Sequence, residues 1–79
     1  MTVLYFAHAR RASGISDEKI PLSASITTTE FWGLIVQRHP ALAALRTSSR
    51  LARENDFLPA DARIEPDDEI ALIPPVSGG

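Results

Sequence analysis

Ile70-Ala71-Leu72-Ile73-Pro74-Pro75-Val76-Ser77-Gly78-Gly79, the last ten residues of the sequence, carry the reading that decides the fold. The first four are apolar without alternation, as expected of a strand at the centre of a sheet. Pro74 and Pro75 have no N–H to offer a ladder, so the strand stops at Ile73 and the chain leaves it stiff and extended. Beyond them the side chains dwindle to none at Gly78 and Gly79. Six extended residues span ~20 Å, so residues 74–79 are expected to form a thin, flexible tail on a domain of residues 1–73. With average glycine usage near ~7%, a closing glycine pair arises by chance about once in 200 sequences.

The opposite end carries the matching run, Val3-Leu4-Tyr5-Phe6-Ala7. Two non-alternating strands at the two ends of one domain are expected to pair with each other. Between them, Lys19-Ile20-Pro21-Leu22 alternates, and its proline confines it to a sheet edge. His8 to Asp17 reads as a long turn, with Gly14 available for a positive φ. Thr27-x-x-Glu30 is a capping box, with Thr28 an equally good N-cap, and it opens an amphipathic helix through Phe31, Leu34 and Ile35, widened by Trp32 and Val36. Gly33 costs that helix about 1 kcal/mol relative to alanine, and Pro40 ends it. Ala41 to Leu45 can add one or two helical turns before Thr47-Ser48-Ser49. Arg50–Glu54 and Phe57-Leu58 read as short strands about an Asn55-Asp56 turn, and Glu65-Pro66-Asp67-Asp68 as a type I turn into the last strand. The order is that of an α+β roll of the β-grasp (ubiquitin-like) kind. It has a mixed sheet, parallel end strands and one main helix packed across it.

Composition narrows the function. Seventy-nine residues make one domain, and the absence of cysteine removes disulfides, thiol nucleophiles and thiolate metal sites together. Eight basic against ten acidic residues leave no footprint for nucleic acid or an anionic membrane. No apolar run approaches the ~20 residues that cross a bilayer, and the N-terminal run is too short for a signal-peptide core, so a cytoplasmic location is expected. His8 and His39 have no companions at ligand spacing, which argues against a metal site, and His39 is expected to cap or solvate a helix end. Asp61, Glu65, Asp67, Asp68 and Glu69 read most simply as a solvated turn region, with steering toward a basic partner as the lesser alternative. No phosphate loop or Ser-His-Asp set is present. The distinctive chemical group is then the carboxylate at the end of the tail, sterically open on both sides and able to take part in acyl transfer once activated, for example by adenylation. The competing reading is a frayed end without a task.

The ending Ile70 to Gly79, joined to the opening Leu4-Tyr5-Phe6-Ala7-x-x-Arg10-x-x-x-Gly14, resembles the small, sulfur-carrying subunits of molybdopterin synthase, the MoaD branch of the ubiquitin-like MoaD/ThiS family. The resemblance covers essentially the whole chain. It departs from the pattern at Arg11, where the family has an acidic residue. It also departs at Pro66-Asp67-Asp68-Glu69 in place of Asp-Gly-Asp-Glu, and at Ala52-Arg53-Glu54 in place of Ala-Val-Asn. None of these touches the tail.

The resemblance implies a non-catalytic carrier subunit that binds no cofactor of its own. Gly79 would be adenylated by an ATP-dependent activating enzyme, converted by a sulfur donor protein to a thiocarboxylate, and inserted into the synthase large subunit. There it would donate sulfur to cyclic pyranopterin monophosphate to build the molybdopterin dithiolene. Pro74, Pro75, Val76, Ser77 and Gly78 would enter the partners with it. Phe6, Arg10, Phe57 and Ile73 match the family's docking surface. The alternative for the three apolar residues is the core, and for Arg10 a solvated turn. The family precedent is a heterotetramer of two small and two large subunits. A ubiquitin-like modifier conjugated through Gly79 and a thiamin-pathway sulfur carrier are the neighbouring alternatives, the latter disfavoured by Pro-Pro-Val before the glycines. An interaction module with an incidental tail is the more distant one.

Overall fold

In the computed structural model, which describes residues 1–74, the two non-alternating runs lie side by side. Strand β1 (Thr2–Tyr5) pairs in parallel with the last strand, β7 (Glu69–Ile73), aligning Val3 with Ile70 and Tyr5 with Leu72. They occupy the middle of a five-stranded mixed sheet of order β2-β1-β7-β4-β5. Here β2 is Asp17–Lys19, β4 is Arg50–Arg53 and β5 is Asp56–Phe57. Val3, Tyr5, Ile70 and Leu72 point to one face and are fully or almost fully buried. Across that face lies α2 (Thr28–Arg38), which contributes Phe31, Trp32 and Ile35 to the core. This is the β-grasp arrangement expected from the sequence.

Helix α2 begins as its capping box dictates. Thr27 Oγ1 accepts from the Glu30 N–H at 3.0 Å, and the Glu30 carboxylate accepts from the Thr27 N–H at 2.9 Å. The helix stops at Arg38, with His39 as C-cap ahead of Pro40. The segment after it is a 3-10 helix, Pro40–Leu45, anchored by fully buried Leu42.

Several sequence expectations are corrected. The stretch expected as a long turn from His8 to Asp17 contains a helix, α1 (Ala7–Ser13). Its Ala-His-Ala-Arg-Arg-Ala composition favours the helix, Ala9 is fully buried, and Gly14 closes it at φ 79° with its N–H on the Arg10 carbonyl. The second strand is Asp17–Lys19 rather than Lys19 to Leu22. It is an edge strand as expected, but Pro21 lies beyond it, and Ile20 turns into the core. The hairpin turn is Glu54-Asn55 rather than Asn55-Asp56. Both turn residues have positive φ, 52° and 69°, as a two-residue type I′ turn requires. A second, two-stranded sheet that the sequence did not reveal pairs β3 (Ile26–Thr27) with β6 (Arg63–Ile64), burying Ile64.

Candidate functional site

The face of the five-stranded sheet away from α2 is lined by side chains that a solvated sheet face would not carry. Register places Leu4 beside Ala71, Ala71 beside Ala52, and Ala52 beside Phe57, an apolar row across four strands. One step toward the exit of β7, Ile73 faces Arg50, and Phe6 follows β1 into the same row. Leu4, Phe6, Ala52, Phe57, Ala71 and Ile73 line a groove of about 570 Å³. Its walls are the two exposed large hydrophobics of the described residues, Phe6 at 49% and Phe57 at 51% exposure.

Local backbone geometry puts both rings there. After Phe6 the chain must swing from β1 into α1, and Ala7 adopts φ 48° to do so. That left-handed conformation costs a residue with a Cβ about 1 kcal/mol, and it leaves Phe6 at the groove wall instead of under the helix. Phe57 sits on the edge strand β5, presented by the tight Glu54-Asn55 turn, and the Arg50 guanidinium stacks 3.9 Å over its ring. Burying the exposed half of each ring against a partner would contribute about 1 kcal/mol apiece.

Of the residues singled out in the sequence, the structure brings Phe6, Phe57 and Ile73 together in this groove. Ile73 is half-buried, while Leu72 beside it is completely buried. Arg10 lies on α1, exposed, on the far side of Phe6, where it lines a smaller depression with Ser16 and Asp17. Pro74 is buried immediately after β7. Pro75, Val76, Ser77, Gly78 and Gly79 lie outside the described residues.

A polar cluster on the helix-covered face escaped the sequence reading. Glu18 on β2 accepts from Tyr5 Oη at 2.6 Å, from His39 Nε2 at 2.8 Å and from Arg38 at 3.4 Å. His39, expected to cap or solvate the helix end, does close α2 through its backbone. Its ring meets Tyr5 edge-on at 5.8 Å and ties the helix to the edge strand. Burial disfavours the Glu18 charge, but the hydrogen bonds from Tyr5 and His39 and the nearby charges of His39 and Arg38 outweigh it, so its carboxyl titrates below the usual range. Burial, and then the hydrogen bond to Glu18, raise the Tyr5 phenol. The cluster joins residues 13 to 21 positions apart, which no local motif could reveal. Among the described residues no group of three or more histidines and carboxylates is placed to hold a metal ion.

The sequence pattern of the ThiS family matches residues 3–79. The human molybdopterin synthase sulfur carrier subunit is 36% identical over 80 residues, covering 98% of this chain and 91% of the human one. Its counterpart from Arabidopsis thaliana is 34% identical, covering 98% of this chain and 80% of the plant protein. Small archaeal modifier protein 1 from H. volcanii superposes with a TM-score of 0.82 over 96% of this chain and 97% of its own, at 22% identity. A putative molybdopterin converting factor, subunit 1, from Pyrococcus furiosus gives 0.81 over 95% of each chain, also at 22% identity. At those identities the two structures establish likeness of fold.

Proposed function

The chain belongs to the ThiS family, and from that membership we propose that it is the sulfur-carrier subunit of a molybdopterin synthase, with Gly79 as the sulfur-bearing residue. The observation that carries the reading is the extent of the likeness. The family pattern runs through Gly79, and relatives named as this subunit align over 98% of the chain.

In the proposed cycle the Gly79 carboxylate attacks the α-phosphorus of ATP on an activating enzyme, releasing pyrophosphate and forming an acyl adenylate. A reduced sulfur nucleophile from a donor protein displaces AMP and leaves a thiocarboxylate. That sulfur is passed in the large subunit to cyclic pyranopterin monophosphate, and hydrolysis returns the carboxylate. ATP serves the activating enzyme, and this chain's part is to bear the reactive atom and to dock. Gly78 gives the acyl carbon clearance, and residues 74–77 carry it into the partner.

Docking falls to the groove of Phe6, Phe57 and Ile73, with Arg10 in the neighbouring depression beyond Phe6. The groove flanks the end of β7 from which the tail departs, so a subunit seated on it lies where the tail begins. A cytoplasmic location and a tetramer of two small and two large subunits belong to the same proposal. No helix among the described residues is long and apolar enough to cross a membrane.

Incubation with activating enzyme, ATP and sulfur donor, followed by intact-mass analysis, tests the central step. One oxygen should be exchanged for sulfur at the C-terminus, and Gly79 deletion should abolish the exchange. An unchanged mass, under conditions that convert a control carrier, would overturn the proposal.

A further inference from the structure

The lining of the groove is apolar at one end and acidic at the other. In the row nearest the exit of β7 the lining is apolar, Phe6 and Ile73; Arg50, the register partner of Ile73, stands outside the lining with its guanidinium held over Phe57. Two rows away along the strands, ~13 Å at the rise of a β-strand, Glu69 on β7 and Glu54 on the β4–β5 turn line the other end. Both are exposed. The ion pairs of the described residues are Arg38–Glu18, His39–Glu18 and Arg53–Asp68, so neither carboxylate is neutralised. Asp68, beside Glu69 in sequence, is instead occupied by Arg53 and the Glu65 N–H. Lys19 shares the row of Thr2 and Glu69 but stands on β2, two strands from Glu69, ~10 Å away.

The apolar floor by itself does not define a direction. Leu4, Ala71 and Ala52 form a low strip that an apolar plug could enter either way round, yet the tail leaves at one end only. A partner docked in reverse would have its active site at the wrong end. Charge at one end only removes that ambiguity, because the reversed arrangement takes the partner's cation away from Glu54 and Glu69 and sets it against the apolar end. Building on the docking role proposed above, we propose that the groove selects the orientation of the synthase large subunit electrostatically. The segment it receives seats an apolar side chain over Ala52 and Ala71 and extends an arginine or lysine to Glu54 and Glu69. A second copy of this chain fits less well, since it offers the same depression, and two depressions face to face leave a void instead of filling one.

The test is the affinity of the full chain for the purified large subunit of the same organism, measured by calorimetry at low and at physiological salt. Glu54→Lys/Glu69→Lys should weaken binding about tenfold at low salt and flatten the salt dependence, since exposed interface charges act mainly through steering and screening. Glu54→Gln/Glu69→Gln should move the same way by less, and it retains the test if the reversal disturbs folding. Variants that bind as tightly as the wild type, with the same salt slope, would overturn the charge assignment while leaving the docking role intact. Absence of binding by the wild type would overturn the docking role and this inference with it. A free chain that sediments as a dimer and dissociates on the Glu54→Lys/Glu69→Lys change would make the second copy the occupant, and this too overturns the proposal.

Discussion

Leu72 and Ile73 are adjacent, similar in size and both apolar, yet one is completely buried and the other lines an open groove. Strand alternation separates them, and their composition does not. Ile73→Asp should therefore keep the fold and lose the large subunit: circular dichroism and thermal melting near wild type, with co-purification abolished. Loss of the fold would return Ile73 to the core. Glu18 shows the converse case, a charged residue whose task is internal. Its folded pKa lies below the ordinary 4.5, so its contribution to stability is present above that value and is lost as pH falls through the depressed pKa. The difference in melting temperature between wild type and Glu18→Gln should accordingly hold well above pH 4.5 and shrink as the pH falls through and below that value. A gap that stays constant through that fall would show that the carboxylate's charge contributes nothing.

Among the elements, α2 was the most legible, since its start signal is local: Thr27 and Glu30 cap each other within one turn. Thr27→Ala should cost about 1 kcal/mol, a fall of roughly 4–8 °C in melting temperature for a domain of this size. Gly33→Ala should act in the opposite direction by a similar amount, because an added Cβ there has no atom within 4 Å. Equal effects of the two changes would contradict the assignment of one to a cap and the other to an open helix face. Helix α1 was less legible. Its charged residues fit a turn as well as a helix, and its stability comes from burying Ala9 beside elements distant in sequence. The two-residue strands β3 and β6 carry no pattern long enough to read, and they exist because Ile26 meets Ile64 across the fold.

At the scale of the whole molecule, the two ends of the sequence supply the two central strands, so the domain is closed by its last element. Removing residues 70–79 takes β7 out from between β1 and β4 and should abolish cooperative unfolding and amide dispersion together. A truncated chain that still melts cooperatively would show that the remaining strands can form a sheet without it. The same central pair held a signal that could have been taken further. The helices cover only one face of the sheet, yet the other face of β1 and β7 carries Leu4, Ala71 and Ile73 beside Thr2 and Glu69. A face left to water alternates with polar residues, so the excess apolarity of Leu4, Ala71 and Ile73 already marked a surface meant for covering. By itself the sequence determined the strands at the ends and the capped helix, because these rest on local sterics and on periodicity along the chain. Only the tertiary structure decided that Phe6, Phe57 and Ile73 share one groove with Glu54 and Glu69 at its far end, and that Glu18 gathers Tyr5, Arg38 and His39. Those are contacts across strands and between layers, set by register and packing, and residues far apart in sequence do not announce them.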